Sequence, residues 1–120
     1  MTKKTAKMIA KYTEIHPAFS KIVTEDINPF MTDVSRSDVF TMAMVLCDIQ
    51  MQLSAHAMNR DNAPFSEYDV DDYVIRTQLM PSPECIQLTQ KMVDCVLSCA
   101  SAELQNKVAY MFYVVISAHI

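Results

Sequence analysis

RSDVFTMAMVLCDIQMQLSAHAMN, residues 36–59, contains neither glycine nor proline. Its polar residues Thr41, Asp48, Gln52, His56 and Asn59 recur at helical spacing and fall on a narrow stripe of one α-helix. Val39, Phe40, Ala43, Met44, Leu46, Cys47, Met51 and Leu53 occupy most of the remaining circumference. A helix that is apolar over most of its circumference is expected to be central, with neighbours on several sides. At 1.5 Å per residue it would be roughly 36 Å long. Ser35 and Ser37 are candidate N-caps. The expected fold class is therefore all-α: a compact single-domain bundle of about five helices, covering residues 1–120, around this long central helix.

Toward the N-terminus a helix is expected from about Lys3 to Ile15, closed by Pro17. Met8, Tyr12 and Ile15 share one of its faces, and Lys4, Lys7 and Lys11 another. Ala18 to Thr24 reads as a short turn or helix that buries Phe19, Ile22 and Val23. The run Ile27-Asn28-Pro29-Phe30 reads as a connection, because proline interrupts a helix. Toward the C-terminus, Arg60 to Phe65 is a polar loop. Ser66, with Asp69 three residues on, imitates a capping box and opens a helix to about Met80. Met80-Pro81-Ser82-Pro83 is a break in which Ser82 is an N-cap and Pro83 the first helical residue. The helix after it runs to about Ala100, with Ile86, Val93, Leu97 and Ala100 inward and Gln87, Lys91, Asp94 and Ser98 outward. Ser101 caps the last helix. Such short connections imply antiparallel neighbours.

The whole chain contains no glycine, although glycine usually supplies about 7% of residues. Gly-rich phosphate loops, the dinucleotide fingerprint, the nucleophile elbow and the usual calcium loop are all excluded by that one fact. So are the preferred two-residue hairpin turns, which weighs against a β-rich fold. Hydrophobic residues make up 51% of the chain, enough to build a core that offsets the entropy of ordering. The apolar stretch Val108–Ile120 is shorter than the ~18–20 residues a membrane span requires. With an N-terminus that lacks the apolar core of a signal peptide, these features lead to the expectation of a soluble, cytoplasmic protein. Cys47, Cys85, Cys95 and Cys99 all lie in apolar runs and read as reduced, buried thiols.

The net charge of −4 is unevenly spread. Residues 1–21 carry five lysines against Glu14, residues 22–84 three arginines against eleven acids, and residues 85–120 two charges of each sign. The acidic group Glu67, Asp69, Asp71 and Asp72 sits where negative charge favours a helix start and lacks the glycine of a calcium loop. It reads as a solvated first turn or a surface for a basic partner. Cys95 and Cys99, four apart, would need two zinc ligands from Cys47, Cys85, His16, His56 or His119, none in paired spacing. No catalytic, cofactor or metal residue is assigned.

The last helix is different. Leu104, Val108, Met111, Val115 and Ala118 form its expected core face, while Tyr110, Tyr113 and Val114 fall on the other side with Lys107 and Ser117. Exposed apolar patches mark contact surfaces, and tyrosine is enriched in them. The expected function is a non-enzymatic module that binds another protein through helix faces. One form is a homodimer through the last helix; another is a small inhibitor of a larger complex, of the kind a virus or phage encodes and places in the host cytoplasm. The alternatives are a metal-binding or enzymatic bundle using Cys and His, and nucleic-acid binding by the basic N-terminal helix.

Overall fold

A computed structural model describes residues 17–58 and 65–119, together with Lys3, Lys4 and Lys7, which are helical and exposed. Side chains of residues 56–58 lie outside the described set, as do the expected Met8–Tyr12–Ile15 face, His16 and Asn59. The described chain is all-α: α1 (Pro17–Ile22), a π turn (Val23–Ile27), α2 (Asn28–Met31), α3 (Arg36–Met58), α4 (Val70–Thr77), α5 (Pro83–Leu97) and α6 (Ala102–Ser117). It contains no strand among the described residues.

The stretch around Pro29 is helical, contrary to the expected connection. A proline ring presses on the carbonyl four residues back and offers no N–H of its own. The π turn meets both constraints. The Asn28 N–H bonds Val23 O, five residues back. Pro29 then falls in the first turn of α2, where a missing N–H costs nothing.

α3 begins at Arg36 as expected and is helical through Met58. Ser35 is its cap, with Oγ accepting the Asp38 N–H at 3.1 Å; Ser37 lies inside the helix. Ser82 and Ser101 cap α5 and α6 as expected, accepting the N–H groups of Cys85 and Leu104. Pro83 takes the first helical position.

α4 differs from expectation at both ends. Its N-cap is Asp69, whose carboxylate accepts the Asp71 N–H at 3.0 Å, and Ser66 lies upstream of the helix. The cause is two glutamines that hold the preceding backbone extended. Gln105 accepts from the Phe65 N–H at 2.8 Å and donates to Phe65 O at 2.9 Å. Gln90 likewise accepts from the Val70 N–H at 3.0 Å and donates to Tyr68 O at 3.1 Å. Each amide thus offers the chain what a neighbouring strand would. The helix then stops at Thr77, before Met80, because Gln78 is left-handed with φ 59° and ψ 25°.

The core is one cluster shared by every element. α3 and α6 make the most extensive helix contact, and α5 packs on both. Arg36 and Phe40 at the start of α3 share a groove with His119 at the end of the chain, so α3 and α6 run antiparallel. Phe19 of α1 is buried in this core, its ring 4.7 Å from that of Phe112. The molecule measures 41 × 35 × 19 Å over Cα atoms, a slab about two helix layers thick.

Individual side chains depart from the expected faces. On α5 the buried residues are Cys85, Leu88, Thr89, Met92, Val93, Cys95 and Val96; Ile86 and Leu97 are half-buried, and Ala100, beyond the helix, is exposed. On α6, Val108, Met111 and Val115 are buried with Ala109, Phe112 and Ile116, whereas Leu104 is half-buried and Ala118 exposed.

Candidate functional site

Asp38 and Thr41 of α3 are buried and Asp48 is half-buried, and all three are put to use. Asp38 is nearly buried: its carboxylate accepts the Ser82 N–H at 2.8 Å and the Ser82 hydroxyl at 2.6 Å. Ser82 Oγ in turn accepts the Cys85 N–H at 3.2 Å. The first turn of α3 is thereby fastened to the cap of α5. Thr41 is fully buried and returns its hydroxyl to Ser37 O at 2.9 Å. Asp48 accepts from the Tyr68 hydroxyl at 2.7 Å and from Gln52 at 2.9 Å. Burial, reinforced by this bond to Asp48, pushes the Tyr68 phenol above its ordinary pKa.

With Met42, Val45, Leu46, Ile49 and Leu53 in the core, an apolar arc of the same helix faces out. Phe40, Met44 and Met51 are exposed by 54%, 38% and 71%. Cys47 between them is half-buried. At 100° per residue these four fall on one stripe, and their 4-3-4 spacing is that of a helix–helix seam. The expectation that α3 is packed on several sides holds where α4, α5 and α6 meet it. It fails along this stripe. The sequence analysis gave this helix neighbours on several sides without singling out this one, because Asp48, which bonds Tyr68, looks in the sequence like part of a solvent stripe.

Among the expected contact residues, Tyr110 is exposed by 48%, while Tyr113 and Val114 beside it are half-buried. Tyr113 also packs on the core. The three share one face of α6 with Lys107, whose ammonium lies 3.2 Å from Glu103. Glu67, Asp69, Asp71 and Asp72 are all exposed around the start of α4. Asp69 is engaged as the cap, and Asp72 pairs with Arg76 at 3.4 Å. Arg76 also lies over the Tyr73 ring, 5.6 Å from its centre. Glu67, Asp69 and Asp72 line one shallow cleft with Tyr68. The acidic group and the tyrosine group belong to different elements.

The buried cysteines are poor nucleophiles. Burial pushes the Cys85 and Cys95 thiols up to about 12 and Cys99 to about 11, and a thiolate is the reactive form. Cys99, just past the end of α5, donates its thiol to Cys95 O in the last turn of that helix at 3.6 Å. No cluster of three or more His, Cys, Asp or Glu suited to a metal occurs among the described residues. No helix there is long and apolar enough to cross a membrane. No family model matches the chain, and no curated protein and no solved structure matches it.

Proposed function

We propose that this chain is a non-enzymatic module that binds another protein through a helix face, with the outward stripe of α3 as its principal contact. The observation that carries this reading is the line Phe40, Met44 and Met51, exposed by 54%, 38% and 71%. Three large apolar side chains in register on one helix leave water unfavourably ordered around them. Covering them with a partner helix would recover that free energy. Methionine suits such a surface, since its unbranched thioether adapts to the shape it meets. Tyr110, with Tyr113 and Val114, forms a second and smaller apolar face on α6. The exposed acids Glu67, Asp69, Asp71 and Asp72 would favour a partner with basic residues through the field they set up. Bound through this stripe, the module would act by occupying a surface of a larger partner, with inhibition by occlusion as the outcome.

The test is affinity capture from the native cell with four chains: wild type, Met51→Asp, Phe40→Asp and, as a control, Gln87→Asp on the exposed side of α5. Wild type and Gln87→Asp are expected to retain the same partner, and both stripe variants to lose it at least tenfold. Circular dichroism would show that all four are folded. Sedimentation of the purified chain separates a second copy of this chain from a different protein as the occupant. A wild-type chain that captures nothing, or a Met51→Asp chain that holds the partner undiminished, would overturn the reading.

A further inference from the structure

We draw no further inference here: the strongest candidate, the groove between the first turn of α3 and the end of α6 lined among the described residues by Arg36, Ser37, Val39, Phe40 and His119, runs into the apolar face already described at Phe40, and nothing in the structure shows what covers it.

Discussion

Gln78 shows one way in which a glycine-free chain ends a helix, whereas α5 and α6 end on right-handed residues. It occupies the left-handed position with φ 59°, which glycine normally takes because it lacks a Cβ. An L-residue is held there at a cost of ~1–2 kcal/mol, partly offset because glycine would lose more entropy on folding. Gln78→Gly is therefore expected to raise stability by about 0.5–1 kcal/mol, read as a higher urea midpoint. Gln78→Val, with its branched Cβ, should lower it. The three buried thiols make a second expectation at this scale. Their ordinary value is 9.0, and burial holds them protonated to about 11–12 in the folded chain. Between these values the folded state binds more protons than the unfolded one, so stability is complete below about pH 9 and falls as pH rises through 12. Each thiol contributes on the order of 1 kcal/mol of loss per pH unit within that window. Cys85→Ala should lower stability at every pH through its cavity, yet give a shallower decline between pH 9 and 10.5 in urea titrations. An unchanged slope would contradict burial as the cause.

The helices were legible in the sequence where their own ends specify them. Ser35, Ser82 with Pro83, and Ser101 are caps whose bonding is local, so three residues of context suffice to find them. α4 was misread because its start depends on Gln90 and Gln105, which reach Val70 and Phe65 from 20 and 40 residues away. The same is true of the π turn before Pro29, a compromise between a proline and the burial of Val23 and Ile27. The Asp38–Ser82 clamp offers a measurable consequence at the scale of elements. Removing the carboxylate breaks two short hydrogen bonds to a charged group, so Asp38→Ala is expected to cost about 2–4 kcal/mol. Hydrogen exchange should then rise together in the first turns of α3 and α5. Faster exchange in α3 alone would mean that the clamp does not couple the two helices.

At the scale of the whole molecule, a slab 19 Å thick has little interior in which to hide apolar side chains. α3 spans almost its full width and cannot be enclosed on every side. Composition and periodicity announced the all-α class and the long central helix. They could not announce which way α3 faces. An apolar residue is the same letter whether it meets a neighbour or water, and the direction is set by the face that packs on the other helices, Met42, Val45, Leu46, Ile49 and Leu53, together with the bonds of Asp38 to Ser82 and of Asp48 to Tyr68. The outward stripe is thus the product of tertiary contacts, and it is the surface on which the proposed function rests. A photo-crosslinking amino acid placed singly at Met44, Met51, Tyr110 or Gln87, and irradiated in the native cell, tests that surface most directly. The account predicts a discrete crosslinked partner from positions 44 and 51, a weaker one from 110 and none from 87. Equal yields from all four positions, or no product from 44 and 51, would contradict it.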